Sequence, residues 1–595
     1  MSDACERTIG PADPIPGPGS GQTLLGPDQR ATAWNRLANE QFDVVVVGGG
    51  VVGAGAALDA ATRGLKVALV EARDFASGTS SRSSKMFHGG LRYLEQLEFG
   101  LVREALHERE LSLTTLAPHL VKPLPFLFPL THRWWERPYV AAGIFLYDQL
   151  GGAKSVPAQK HLLKAGALRL APGLKRSSLI GGIRYYDTVV DDARHTMTVA
   201  RTAAHYGAVV RTSTQVVDLL REGDRVTGVK IRDSENGAVA EVHGHVVVNA
   251  TGVWTDEIQA LSKERGRFRV RASKGVHIVV PRDRIVSEVA IILRTEKSVL
   301  FVIPWGTHWI IGTTDTDWNL DLAHPAATKA DIDYILTRVN QVLATPLTHD
   351  DIDGVYAGLR PLLAGESEET SKLSREHAVA VPAPGLVAIA GGKYTTYRVM
   401  GEDAIDAASE FVPARVAPSI TEKVPLMGAD GYFALINQTE HVGAMYGLHP
   451  YRVRHLLDRY GSLIGEVLAM ASQEGGGNPE LLTPITEAPV YLKVEAWYAA
   501  AAEGALHLED ILARRMRISI EYPHRGVDCA REVAEVVASV LGWDAEDVDR
   551  EVNTYIARVD AEVRSQQQPD DESADALRAA APEARAEILE PVPLN

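Results

Sequence analysis

Four consecutive valines, Val44 to Val47, run straight into a turn with glycines at positions 48, 50 and 53. An apolar run without polar alternation suits a strand covered on both faces, as in a parallel sheet. A small-residue helix is expected from about Val52 to Arg63, stopped by Gly64, and a second apolar strand, Val67 to Val70, ends in Glu71. In this G-x-G-x-x-G spacing Gly48 permits the tight turn, Gly50 lets the backbone approach a pyrophosphate, and Gly53 lets the helix pack closely on the strand. The helix start then turns free N–H groups and the positive end of its dipole towards phosphate. Glu71 falls where a carboxylate can accept hydrogen bonds from ribose hydroxyls. Glycine-rich turns are common, so the turn alone is weak evidence. Strand, turn, helix, strand and acid in register make a much stronger case for a dinucleotide, with NAD and FAD both left open.

A chain of 595 residues has room for two or three domains and a large core. Its net charge of -16 argues against general nucleic-acid binding. Two cysteines, Cys5 and Cys529, cannot build a disulfide framework, an iron–sulfur cluster or a zinc cage. No metal site is expected, and a reducing cytoplasmic setting fits. No apolar run reaches the roughly 18 residues of a spanning helix, and the Pro- and Gly-rich start lacks the apolar core of a signal peptide. Residues 1–40 read as a flexible extension in which the segment near Trp34 to Leu37 can dock, and residues 565–595 as a mobile tail.

After Glu71 the chain becomes small and polar, GTSSRSS from Gly78 to Ser84, then Lys85, His88, Gly89, Gly90, Arg92 and Tyr93. Such a segment is poor core material and suits a loop around a polar ligand. From Pro118 to Leu150 aromatic residues (Phe126, Phe128, Trp134, Trp135, Tyr139, Phe145, Tyr147) alternate with Lys122, Arg133 and Arg137, a mixture found both in ordinary cores and at membrane interfaces. In YYDTVVDDARHTMTVAR, Asp191 or Asp192 is placed to cap a helix beginning near Ala193. A β-meander is expected from Ala208 to Asn249, ending in VVVNATG, and a second β-rich region over 267–316. Beyond about Lys423 the pattern is mainly helical.

TSSRSSKMFHGGLRYLEQLEFGLVREALHERE resembles the signature of FAD-dependent glycerol-3-phosphate dehydrogenases, which usually show TSSxSSKLxHGGLRYLE; the departures are Met86 and Phe87. The D-x-x-V-D-D-A-R element near Asp187, YAGLRPL (Tyr356 to Leu362) and GGKYTTYR (Gly391 to Arg398) resemble further elements of that family, over most of residues 42–425. EDILARRMR resembles a C-terminal element with Met516 in place of the usual Thr, and Arg514 and Arg515 read as structural or interface residues.

The resemblance implies an α/β flavoprotein: a Rossmann-like FAD-binding domain interleaved with an antiparallel β-sheet substrate (cap) domain over 41–425, and a helical domain over 426–564. FAD is the implied cofactor, approached by Gly48, Gly50, Gly53, Glu71, Thr79, Ser80, Ser81, Ser84, Lys85, His88, Gly89, Thr251, Gly252, Gly392, Lys393 and Thr395. The implied substrate is sn-glycerol 3-phosphate, a dianion bound by Arg92, Tyr93, His277, Arg360 and Lys393. Arg92, Arg360 and Lys393 are expected to hold the phosphate and polarise the reacting hydroxyl. His277 is favoured as the base because its ordinary pKa lies near neutrality, with His88 as the alternative. Quinone is favoured as electron acceptor over oxygen, because the mid-chain insertion of many family oxidases is not evident. The resemblance also implies peripheral attachment to the cytoplasmic face of a membrane, and a homodimer is one assembly to expect. Two further readings stay open: an amino-acid oxidase sharing the flavin domain, and a flavin-bound membrane-surface sensor without turnover.

Overall fold

The valine run forms the strand Gln41–Val47, and Val44, Val45 and Val46 are fully buried. It pairs in parallel with Val67–Val70 on one side and Val239–Asn249 on the other. Val209–Arg211 and Leu386–Gly391 extend this parallel core at its two ends. The antiparallel strands His377–Ala383, Thr214–Glu222 and Arg225–Asp233 complete an eight-stranded sheet. The computed structural model describes residues 8–9, 24–90, 93–94, 97–132, 136–151, 155–262, 269–295, 299–364, 376–471 and 477–585.

The helices Val51–Thr62, Asp192–His205 and Tyr397–Ser409 pack their apolar residues into one core with this sheet. Glycines set how close they come. A Cβ on Gly401 would lie 2.7 Å from the carbonyl carbon of Gly55. Asp191 caps the second of these helices, accepting the Arg194 N–H at 3.2 Å. Ala33 and Leu37 of the helix Pro27–Asn39 are buried in a core cluster with the sheet's valines. The extension is therefore docked from residue 24 onward, as Trp34 to Leu37 suggested. Most of the chain before residue 24 lies outside the described residues.

The second sheet has ten strands and is largely antiparallel. Its strand Val270–Pro281 pairs with Gly354–Leu363 on one edge and with His308–Gly312 and Thr316–Trp318 on the other. Lys122–Leu130 belongs to this sheet, with Phe126 and Phe128 buried, so those two aromatics are core rather than interface. Trp134, Trp135 and Arg133 lie outside the described residues. Tyr139, Phe145 and Leu146 of the helix Glu136–Gly151 are exposed, as are the neighbouring Leu97 and Phe99. Among the described residues no helix is long and apolar enough to cross a membrane.

The C-terminal part is helical, with Pro450–Tyr460, Lys493–Ala502, Val527–Leu541 and Ala545–Ser565 around two apolar clusters. The expectation of a mobile tail from residue 565 does not hold for residues 565–585, where polar contacts fix the chain; residues 586–595 lie outside the described residues. Asp571–Ala579 is a further helix capped by Asp570, and Arg585 is buried, donating to Ser213 Oγ (2.7 Å) and Asp510 Oδ2 (2.9 Å).

Burial leaves a pH signature. Desolvation holds His119 and His195 down to about 3, and His277 and His324 well below the ordinary value. Below about pH 6.5 the unfolded chain binds protons that these sites refuse, so stability falls as pH drops towards 3, by up to about 1.4 kcal/mol per pH unit per histidine. His507 has the opposite sign. Burial lowers its pKa, but hydrogen bonds to Glu235 and Glu551 raise it overall, to about 9. Its contribution is complete below about pH 6.5 and is lost as pH rises through 9. The urea midpoint is expected to fall clearly between pH 7 and pH 5. An unchanged midpoint would remove the neutral-histidine account.

Candidate active site

A cavity of about 670 Å³ runs between the two sheets. One end is built on the glycine turn. Gly48 has φ +108°, and a Cβ there would lie 2.8 Å from Ala250 O. A Cβ on Gly53 would lie 1.9 Å from Gly48 O, so Gly53 faces the helix–strand contact and not the cavity. Gly50 precedes the helix and offers no side-chain cap. Val51 N–H donates to Ser80 Oγ at 2.9 Å, and Val51 and Val52 line the cavity. Glu71 accepts the N–H groups of Gly49 (2.6 Å) and Arg73 (2.8 Å), one on each oxygen. Each oxygen keeps a lone pair for a ribose hydroxyl. Burial pushes the Glu71 carboxyl up, against those two bonds. A glycine cradle, uncapped N–H groups and a buried carboxylate fit the adenosine and diphosphate parts of FAD.

The other end is built on strand register. His277 stands opposite Tyr356, Gly275 opposite Gly358, and Ser273 opposite Arg360. Residues two apart share a face, so His277, Tyr356 and Arg360 are on one side with two glycines between them. A Cβ on Gly275 would come within 2.5 Å of Arg360 Nη2, and one on Gly358 within 2.5 Å of Arg82 O. The floor between base and cation is therefore bare backbone. Arg360 Nη2 donates to Thr313 Oγ1 (3.1 Å) and Thr314 O (3.2 Å), and Asp315 lies 3.6 Å from Nη1. Residues 313–315 fall in the region expected from the sequence only as β-rich, 267–316, and were not among its candidate site residues. The T-T-D run was the available signal.

His277 Nε2 lies 2.9 Å from Ser84 Oγ, and its ring stacks on Tyr356 with centroids 4.7 Å apart. Its Nδ1 is buried with no hydrogen-bond partner. Burial first, then the cations Arg360 and Lys85, hold its pKa well below the ordinary value, so the ring is neutral at physiological pH. Lys393 Nζ sits 3.8 Å from the centre of the Tyr93 ring, and both line the cavity.

Of the residues singled out from the sequence, Gly48, Gly50, Glu71, Thr79, Ser80, Ser84, His88, Tyr93, Thr251, Gly252, His277, Arg360, Gly392, Lys393 and Thr395 border the cavity. Arg92 lies outside the described residues. Besides Gly53, three do not border it, and each has a physical reason. Lys85 has φ +55° and is fully buried, its ammonium donating to Asp192 Oδ1 (2.9 Å) and Ser81 O (3.0 Å). Ser81 is occupied by that contact and by Arg517, which donates to the same carbonyl at 3.2 Å. Gly89 donates its N–H to Tyr147 OH at 2.7 Å, and a Cβ there would strike Leu106 at 2.6 Å. Ser81, Lys85 and Gly89 thus shape the loop from behind.

Residues 43–398 match the family described as FAD dependent oxidoreductase, and residues 419–548 the C-terminal domain of alpha-glycerophosphate oxidase. The chain is 85% identical over 588 residues to glycerol-3-phosphate dehydrogenase 2 of Mycobacterium tuberculosis (strain ATCC 25618 / H37Rv), covering 98% of this chain and 100% of that protein. It is 36% identical over 541 residues to the mitochondrial glycerol-3-phosphate dehydrogenase of Homo sapiens, covering 87% of this chain and 73% of that one. The solved glycerol-3-phosphate dehydrogenase of Bacillus halodurans, complexed with FAD, superposes with a TM-score of 0.75 at 28% identity, covering 92% of this chain and 100% of that one.

Proposed function

This chain belongs to the FAD-dependent glycerol-3-phosphate dehydrogenase family, and from that premise we propose that it oxidises sn-glycerol 3-phosphate to dihydroxyacetone phosphate and passes the electrons to a membrane quinone. The observation that carries the reading is the pairing of His277 and Arg360 across a glycine floor, in one cavity with Lys393 and the cofactor turn.

Bound FAD supplies the hydride acceptor. The protein's own groups do the rest. Arg360 offers a planar pair of donors to the substrate phosphate, and Lys393 a point charge. His277, neutral and held by Ser84 and Tyr356, takes the proton from the C2 hydroxyl at Nε2 as the C2 hydride leaves. Arg360, which would bind the phosphate, adds to burial and to Lys85 in keeping the ligand-free ring from charging. An arriving dianion offsets Arg360 and raises the basicity of His277 when the base is needed. The exposed apolar side chains Leu97, Phe99, Tyr139, Phe145 and Leu146 support attachment to the membrane that holds the quinone.

Anaerobic flavin bleaching tests this. Glycerol 3-phosphate is expected to bleach the oxidised band of the purified holoenzyme, and a quinone analogue to restore it faster than air does. Fast recovery in air with peroxide release would make the chain an oxidase. A loaded flavin that does not bleach would remove the substrate assignment.

A further inference from the structure

The chain beyond the helix Ala545–Ser565 returns to the cofactor cavity, where Arg578, Ala581 and Glu583 form part of the wall. They lie at the Glu71 end. Arg73, whose N–H binds Glu71, lies in electrostatic range of Glu257, as does Asp321. Asp321 also reaches Arg578, and its N–H donates to Asp575 Oδ1 at 3.3 Å.

The Arg578 side chain is only 10% exposed. Its Nη1 makes two long contacts, to Arg558 O (3.3 Å) and Glu562 Oε2 (3.4 Å), and its Nε has no partner. Its like-charged neighbour is Arg82, two residues beyond Ser80 on the turn that caps the cofactor helix. Burial first, then Arg578, hold the Arg82 guanidinium down to about 10. Of the nearby carboxylates Glu562 pairs with Arg578 at 3.4 Å, and each makes closer contacts elsewhere. Glu509 pairs with Arg558 (2.8 Å), Glu562 with Arg525 (2.6 Å), and Asp321 accepts the N–H groups of Ala323 and His324. Two buried guanidinium groups on one cavity wall are costly unless an anion joins them.

We propose that Arg578, held against Arg82 by the C-terminal segment, binds the diphosphate of the cofactor, so that residues 571–585 are part of the FAD site and strap the cofactor in place. The proposal rests on FAD being the cofactor of this cavity. Both ends of the strap are anchored. Asp571 pairs with the buried Lys274, and Arg585 is bound to Asp510 and Ser213. Between them Glu583 bridges His324 (2.5 Å) and Arg558 (3.3 Å). A phosphate on the substrate offers the same chemistry, and Arg82 packs against Gly358 of the His277–Arg360 floor, but the links from Arg578 through Asp321 and Glu257 to Arg73 favour the cofactor.

Flavin release from the purified holoenzyme, followed by the fluorescence rise on dilution, tests this. Arg578→Ala is expected to release FAD about tenfold faster or more, Arg578→Lys less so, with unchanged far-UV circular dichroism. A chain ending at Gln568 should lose FAD fastest. Release from Arg578→Ala within about twofold of wild type would overturn the proposal. So would retained flavin with a raised KM for glycerol 3-phosphate, since the anion would then be the substrate. A wild-type protein that neither carries nor takes up FAD would instead sink the cofactor reading itself.

Discussion

Replacing His277 with glutamine is expected to lower kcat for glycerol 3-phosphate oxidation by about 10²- to 10⁴-fold while leaving the flavin bound. That range corresponds to about 3–5.5 kcal/mol of transition-state stabilisation. Glutamine keeps a polar group near Ser84 Oγ and nearly fills the slot between Tyr356 and Gly312, but it cannot take a proton. Because burial and the cations Arg360 and Lys85 depress its pKa, wild-type kcat/KM should hold to lower pH than an ordinary histidine allows. It should then fall on an acid limb that the glutamine variant lacks. KM should change little, since Arg360 and Lys393 carry the phosphate. Stopped-flow flavin reduction across pH reads both quantities. A glutamine variant that reduces flavin at the wild-type rate would end the case for His277. Suspicion would then move to His88, which lines the same cavity. Its backbone N–H and carbonyl both meet Thr395 Oγ1, at 3.2 and 3.3 Å, which fits a positioning role better.

The parts of this molecule legible from the sequence are those whose cause is local. Four valines, three spaced glycines and an acid read as a strand, a tight turn and a carboxylate beside it, and the strand and the turn are there. His277 and Arg360 were singled out through a resemblance, and the register between their strands shows why each motif carries a glycine two residues before them. What stayed hidden depends on partners far along the chain. Lys85 sits in a polar, ligand-like segment, yet its left-handed backbone turns it to Asp192, 107 residues away. The C-terminal segment has the Gln-, Ala- and acid-rich composition of a tail, and in its helix Ala574 is the only fully buried residue. Polar contacts hold it, through Lys274, His324, Asp510 and Ser213, and composition does not register such pairings.

Asp74→Ala is expected to destabilise the protein by about 3–5 kcal/mol, the largest stability loss anticipated from one side chain outside the apolar core. Asp74 is fully buried three residues past Glu71. Its Oδ2 accepts from Arg514 Nε (2.6 Å) and Arg515 Nη1 (2.8 Å), and its Oδ1 from Arg515 Nη2 (2.7 Å). Arg517 of the same element reaches Asp191 (2.8 Å) and Asp192. The R-R-M-R stretch thus clamps the helical domain to the cofactor loop and to the cap of the helix Asp192–His205, with Met516 buried in the core of the helical domain. Removing the carboxylate leaves two buried guanidinium groups with fewer acceptors, Asp510 for Arg514 and Glu503 O for Arg515. Asp74→Asn keeps an acceptor and should cost less. The exposed pair Arg531–Asp549, with side chains 54% and 59% exposed, is the control, and breaking it should cost under about 1 kcal/mol. Urea unfolding read by circular dichroism gives the stability, and flavin fluorescence on the same samples reports the cofactor loop. In Asp74→Ala flavin should be released before the helices unfold, because the clamp joins that loop to the helical domain. Equal midpoints for Asp74→Ala and wild type would mean that the clamp contributes nothing.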